Sequence, residues 1–135
     1  MIVIQDIVIR LGEKPHRCRA LFDYQYFHMA IMSKKKFREF FGETWETGAK
    51  VEVVLSTEHI AYLSEYAVVN IEVLGKTLKN VYIWLIDQDL RDILPQQYLG
   101  HIVDEIDIIL GSTILENYGI KILKDKATGE LKIQL

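Results

Sequence analysis

The sequence predicts a mainly β protein with one or two short helices. Three observations favour this fold class: β-branched residues recur in short runs, several runs alternate in polarity, and turn-forming residues separate the runs. At 135 residues the chain is large enough to bury a core of its own. Because it shows no repeat and no internal linker, we interpret residues 1–135 as a single domain.

The first predicted feature is a hairpin that delivers Asp23 at its far end. The predicted N-terminal elements are a strand at 2–11, a turn at 12–15, a strand at 17–23, a loop with some extended structure at 24–32, and a helix that begins after Ser33 and ends at Gly42. Within this helix Phe37, Phe40 and Phe41 fall at i, i+3 and i+4 and therefore share one apolar face.

Alternating strands dominate the rest of the chain. The predicted elements are strands at 51–55, 60–74, 78–86, 106–110, 120–123 and 131–135, a short helix with a surface loop at 87–104, and a helix after Ser112 or Thr113 that ends at Gly119. Glu116 stands three residues after Thr113, which predicts a capping box at the start of that last helix.

Composition excludes several functional classes. The net charge of −3 gives no basic face for phosphates, so we expect no nucleic-acid partner. No uncharged run approaches the roughly 18 apolar residues of a membrane span, so we expect no membrane partner. Cys18 is the single cysteine and cannot form a disulfide within the chain, which fits a reducing compartment. We therefore expect a cytoplasmic protein.

The stretch Ala20-Leu21-Phe22-Asp23 runs from apolar residues straight into a carboxylate. This order resembles the approach to the catalytic Asp of the retropepsin-like aspartic proteases, the single-lobe relatives of retroviral proteases. The other segments that carry the resemblance, in the same order along the chain, are Ile31-Met32-Ser33, the hairpin at 75–81, the apolar-apolar-Gly motif Ile109-Leu110-Gly111 with the helix after it, and the closing hairpin at 125–131.

The resemblance implies a small closed acid-protease-like β-barrel with one catalytic Asp in each chain. The active site would then lie on a two-fold axis between identical chains, so the resemblance implies a homodimer with Asp23 from each chain. Two carboxylates a few ångströms apart share one proton and activate a water against a peptide carbonyl. Ile109, Leu110 and Gly111 would be structural, and no cofactor is expected.

The residues after Asp23 depart from the family. Tyr24 and Gln25 stand where the family has Thr and Gly, and Tyr26 adds further bulk. The family's glycine lets the backbone approach the catalytic water, so a long side chain there alters the spacing of the pair or blocks the cleft. The predicted flap is also unusual, because the chain has no glycine between Gly48 and Gly75.

Two functions follow from this comparison. The first is a homodimer that has lost proteolysis and binds a peptide or protein in its cleft, or serves in assembly. The second is an active aspartic endopeptidase that uses Asp23 from each of two chains. In either case the residues expected at the cleft, in the Asp loop and at the flap tip, are Tyr24, Gln25, Tyr26, Ser56, Thr57, Glu58 and His59.

A metal-dependent enzyme is a third class, in which Asp23, His28 and His59 would meet at one site. The histidines of the chain are His16, His28, His59 and His101. None of them has the i, i+4 spacing of a helical metal pair, so we expect no metal site.

Overall fold

The computed structural model describes residues 2–100 and 105–135. Nine strands are present in these ranges: β1 (Ile2–Leu11), β2 (Lys14–Asp23), β3 (Ala30–Ser33), β4 (Glu46–Val54), β5 (Ile60–Val73), β6 (Lys76–Ile86), β7 (Ile108–Leu110), β8 (Lys121–Lys124) and β9 (Leu131–Gln134). The helices in the same ranges are α1 (Lys34–Phe41), α2 (Gln96–Leu99) and α3 (Ser112–Asn117), with a 3-10 turn at Leu90–Ile93.

Six of these strands close into a barrel in the order β1-β2-β7-β3-β6-β5, because β5 pairs with β1 as well as with β6. The pairs β2–β7 and β3–β6 are parallel and the other pairs are antiparallel. β4 extends the sheet beyond β5, and these two strands form a long hairpin that we call the flap. Strands β8 and β9 form a separate two-stranded sheet.

The two ends of α1 lie where the sequence predicts them. The Ser33 hydroxyl accepts a hydrogen bond from the Lys36 N–H, and Gly42 ends the helix at a positive φ of 72°. α3 differs from prediction: Gly111 precedes its first residue, and no side-chain hydrogen bond caps it in the described chain. The capping box from Thr113 is therefore wrong, because the first N–H groups of α3 bond instead to backbone carbonyls of the loop after β2.

Two predictions about loops were correct only in part. Part of the predicted loop at 24–32 is strand β3, which the core buries completely although the sequence shows no clear period there. The predicted surface segment at 87–104 contains the 3-10 turn and α2, and it turns apolar side chains inward. The buried members are Leu90, Ile93, Leu94 and Tyr98. Of the residues assigned to that segment, His101 and Asp104 lie outside the described ranges.

The buried residues form two clusters. The first fills the barrel and contains the alternating positions of β5 and β6 that the sequence predicts: Val69, Ile71, Val73, Val81, Ile83 and Leu85. The second lies against the outside of β2, β3 and β7. There the flap, the loop after β2 and the segment at 87–99 cover Leu21, Ile31 and Ile109. No helix of the described chain is long and apolar enough to cross a bilayer.

Gly111 joins the barrel to the loop after Asp23. A Cβ at this position would lie 2.6 Å from the Phe27 carbonyl oxygen and 2.7 Å from backbone atoms of His28 and Met29. The approach is this close because the Gly111 N–H donates to the Met29 carbonyl and the Ser112 N–H donates to that of Phe27. The nearest atoms belong to the backbone, which cannot move aside as the end of a flexible side chain can, so only glycine fits at position 111.

We predict that Gly111→Ala lowers the free energy of unfolding by about 3 kcal/mol, the range of a core clash that forces a backbone shift. Urea denaturation measures the change. The matched control is Gly48→Ala, whose new methyl would meet only a Tyr66 ring carbon at an ordinary 3.6 Å. Equal stability of the two variants would contradict the close approach.

Candidate functional site

Asp23 is the last residue of β2, opposite Ile2 of β1, and its side chain is completely buried, with 0% of its surface exposed. The parallel neighbour β7 ends next to it, because Phe22 pairs with Leu110. The sequence prediction that an apolar strand carries this carboxylate to the rim of a core is confirmed. What surrounds the carboxylate was not predicted.

Four donors hold the Asp23 carboxylate. The backbone N–H of Gln25 donates to Oδ1 at 3.1 Å, and those of Tyr26 and Phe27 donate to Oδ2 at 3.0 and 2.7 Å. The fourth donor is the Tyr98 hydroxyl, 2.7 Å from Oδ1. An ionised carboxylate offers about four lone-pair sites, so these bonds use its acceptor capacity.

Tyr98 comes from α2, in the segment that the sequence predicted to lie on the surface. Burial raises the pKa of Tyr98 far above its ordinary value, and the hydrogen bond to Asp23 and the charge of Asp23 raise it further. The phenol therefore keeps its proton and acts as a donor.

Tyr24 and Gln25, the two departures from the family's motif, point in different directions. Tyr24 packs half-buried against the barrel core, and its hydroxyl donates to the Ile120 carbonyl of the same chain. This hydroxyl is thus engaged within one chain. Gln25 is exposed at the mouth of the neighbouring cavity. The loop after Asp23 therefore accommodates both side chains without an internal clash.

The flap tip lies where the sequence predicts it, at Ser56–His59 between β4 and β5, and its backbone is bonded to the loop after Asp23. The Thr57 N–H donates to the Tyr26 carbonyl at 3.0 Å, and the His28 N–H donates to the Leu55 carbonyl at 2.9 Å. Phe27 and Ser56 form an isolated antiparallel bridge. The tip is therefore held down on the Asp23 loop.

Side chains add a second set of contacts between the same two segments. The Tyr26 hydroxyl lies 3.3 Å from the Glu58 Oε2 and 3.2 Å from the His59 Nδ1. The same His59 nitrogen lies 3.0 Å from the Ser56 Oγ, which also accepts the Glu58 N–H. Tyr26, Ser56, Glu58 and His59 thus form one polar cluster that links the flap tip to the Asp loop.

A cavity of about 1020 Å³ opens beside this cluster. Its walls are the first residues of β1, the Asp loop, the flap tip, the start of α2 and one residue of β9. The residues that line the cavity are Ile2, Val3, Ile4, Gln25, Tyr26, Thr57, Glu58, Pro95, Gln96, Gln97, Tyr98 and Leu131. Asp23 is not in this lining, whereas Tyr26 and Tyr98, which both donate to its carboxylate, are.

The other candidate side chains do not gather at the site. His28 turns its Nδ1 toward the Ser112 hydroxyl at 3.4 Å, and His16 stacks on Phe40. Across residues 2–100 and 105–135, no group of three or more His, Cys, Asp or Glu side chains is placed to hold a metal ion. Burial, and then the charges of Asp107 and Asp6, raise the pKa of Cys18 to about 12, so the thiol stays neutral.

Among solved structures, the chain is similar to the retroviral protease-like domain of Ddi1 from Leishmania major. The two share 11% sequence identity with a TM-score of 0.51, over 97% of this chain and 88% of that chain. No protein-family model and no curated sequence matches the chain. This likeness shows the fold alone: the chain has a retropepsin-like fold, a mainly β closed barrel of six strands with three short helices.

The structure thus brings together Asp23, Tyr26 and the flap tip as the sequence predicts, and it adds Tyr98. A signal for Tyr98 exists in the sequence. Leu90, Leu94 and Tyr98 recur at intervals of four residues, a helical spacing that indicates one buried face. Pro95 and the acidic residues of the segment instead favoured its assignment to the surface.

We predict that Asp23→Asn lowers the free energy of unfolding by about 3 kcal/mol, because an amide NH₂ placed among N–H donors leaves buried groups unpaired. Tyr98→Phe removes one charge-assisted bond and should cost about 1.5 kcal/mol. Denaturant titration of each variant measures both values.

Tyr82→Phe is the matched control, since Tyr82 is exposed and its substitution should change stability by less than about 0.5 kcal/mol. A Tyr98→Phe variant as stable as this control would refute the bond between Tyr98 and Asp23.

Proposed function

We propose that this chain is a non-proteolytic, retropepsin-like domain that forms a homodimer and binds a peptide or protein segment in its cleft, or serves in assembly. The observation that supports the loss of proteolysis most directly is the buried Asp23 carboxylate with its four donors. Aspartic-type catalysis needs two carboxylates that share a proton and a water. A carboxylate enclosed by its own chain meets neither requirement.

The flap supports the same proposal. Peptide hydrolysis under a flap needs a lid that opens to admit the substrate and closes over it. Here backbone bonds from Thr57 and His28 and the cluster around Tyr26 hold the tip down. Opening would break all of these contacts at once.

The cavity beside the flap tip supports binding. It has the volume of an ordinary ligand pocket. Its walls combine apolar residues of β1 with the amide side chains of Gln25, Gln96 and Gln97, and Glu58 is the charged residue in its described lining. Apolar walls with a few hydrogen-bonding groups suit an extended peptide.

The edge of β1 supports both a peptide and a second copy as partner. β1 pairs with β2 along its whole length, but β5 covers its other edge only at Val8–Arg10. Within the described chain no strand pairs with that second edge at residues 2–7. A free edge beside a cavity accepts an added strand through backbone hydrogen bonds.

The active endopeptidase is the second candidate, and two observations favour it. The Gln25 N–H donates to Asp23, and β2 pairs in parallel with Ile108–Leu110. Both contacts hold the end of β2, and therefore Asp23, in a defined position. Catalysis would require Tyr98 to leave Oδ1 and the flap to lift.

Location in the cytoplasm, expected from the lone Cys18, stays a prediction.

The purified protein should show no cleavage of a mixed peptide library between about pH 3 and pH 6, the range in which a carboxylate pair shares a proton. Peptide mass spectrometry after long incubation measures cleavage, with Asp23→Asn as the background control. Cleavage by the wild type that Asp23→Asn abolishes would replace our proposal by the endopeptidase.

A homodimer is expected at micromolar concentration by light scattering. Ile4→Lys, which places a charge on the free part of the β1 edge, should shift the mass toward the monomer. Tyr82→Lys is the control, because Tyr82 is exposed on β6, a strand that does not pair with β1. A wild-type monomer would refute the dimer and leave the cleavage test unaffected.

A further inference from the structure

The outer surface of β4, β5 and β6 is unusually apolar for an exposed sheet. Ile60, Tyr62 and Tyr82 are 62%, 64% and 61% exposed, and Val54 is 41% exposed. Tyr66 and Trp84 lie half-buried beside them. We call this set of six residues the aromatic face. Clusters of exposed apolar residues mark interaction sites more often than isolated ones do.

Strand alternation places these residues on one side of the sheet. In β5 the even-numbered positions from 60 to 66 face outward, since Ala61 and Leu63 pack against the second buried cluster. Val54 pairs with Ile60, and Tyr66 pairs with Trp84, so these neighbours share that side.

The rings lie in mutual contact. Tyr66 and Tyr82 are stacked with ring centroids 6.0 Å apart and planes 17° apart, and Tyr66 meets Trp84 edge-on at 6.1 Å. Tyr66 therefore supports the Tyr82 ring, which is otherwise largely exposed. A fixed aromatic ring binds a planar partner at low entropic cost.

Carboxylates border the aromatic face. Glu46 is the β4 partner of Tyr66, and Glu52 accepts a hydrogen bond from the Tyr62 hydroxyl at 3.2 Å. Neither carboxylate is in an ion pair within the described part of the chain. One cation, Lys50, is exposed in the irregular part of β4 between them. The border therefore remains acidic.

This charge decides among the possible occupants. A second copy bound through the same surface would bring two identical acidic borders into one interface, because both sides of a two-fold interface present the same patch. Anionic lipid or nucleic acid would be repelled for the same reason. A cationic partner fits both the carboxylates and the negative faces of the rings.

We propose that the aromatic face binds an extended, arginine-bearing segment of another protein. Arginine suits it better than lysine, because a planar guanidinium stacks on a ring and can bond a carboxylate through two N–H groups at once. Apolar residues between the arginines would cover Val54 and Ile60. The site is separate from the cavity beside Asp23 and does not depend on the function of that cavity.

The probe is a blocked, fluorescein-labelled pentapeptide with arginine at its first, third and fifth positions and leucine between. Fluorescence polarisation should give saturable binding that weakens with added salt. A lysine version should bind about five-fold more weakly, and a citrulline version, which keeps the planar shape without the charge, should not bind.

Tyr82→Ser and Glu46→Gln should each weaken binding about five-fold, and Leu123→Ser, an exposed apolar residue of β8, should leave it unchanged. Because Tyr82 and Glu46 are exposed, these variants should keep the wild-type melting temperature. Equal binding by all variants, or no saturable binding, overturns the proposal. The proposal is also overturned if the wild-type protein self-associates or binds anionic vesicles and Tyr82→Ser abolishes that association.

Discussion

The Asp23 carboxylate is a buried charge, and the loop around it is shaped by the need to supply that charge with donors. A buried carboxylate without hydrogen bonds costs several kcal/mol, so the chain curls tightly enough to aim the N–H groups of Gln25, Tyr26 and Phe27 at its oxygens. Across the described residues, no buried side-chain nitrogen or oxygen lacks a partner. The carboxylate thus acts as the centre around which the loop folds.

The curled loop then determines the position of its neighbours. Its outward-facing carbonyls accept from both sides: Tyr26 from the flap tip, and Phe27 and His28 from the start of α3. Because α3 lies this close, position 111 must be glycine. The flap, the Asp loop and the Ile109-Leu110-Gly111 motif are therefore one hydrogen-bonded assembly. Exposing Asp23 would break several bonds worth about 1 kcal/mol or more each, a large fraction of the stability of a domain.

The sequence predicts the individual strands because they depend on local patterns, whereas the closure of the barrel is what the resemblance to the retropepsin-like family implies. Alternation in β5 and β6 and the turn signals between strands are visible without any tertiary contact. The order of motifs predicts where Asp23 and the flap tip lie. β3 escapes prediction because it is buried on both sides and so has no alternation. The spacing of Leu90, Leu94 and Tyr98 indicates that Tyr98 is buried, but its contact with Asp23 escapes prediction because the two residues are 75 positions apart along the chain.

The flap has an inner side that contacts the loop after Asp23 and an outer side that carries part of the aromatic face. A flap that opened and closed would carry its outer residues with it, and the aromatic face would change shape with every opening. Here the contacts at Tyr26 and Thr57 hold the inner side, while β6, which belongs to the barrel, anchors Tyr82 and Trp84 on the outer side. These contacts therefore restrain the inner and outer sides of the hairpin together. A restrained surface loses less entropy when a partner binds, so the bonds at the flap tip support the docking that we propose on the opposite side of the same hairpin.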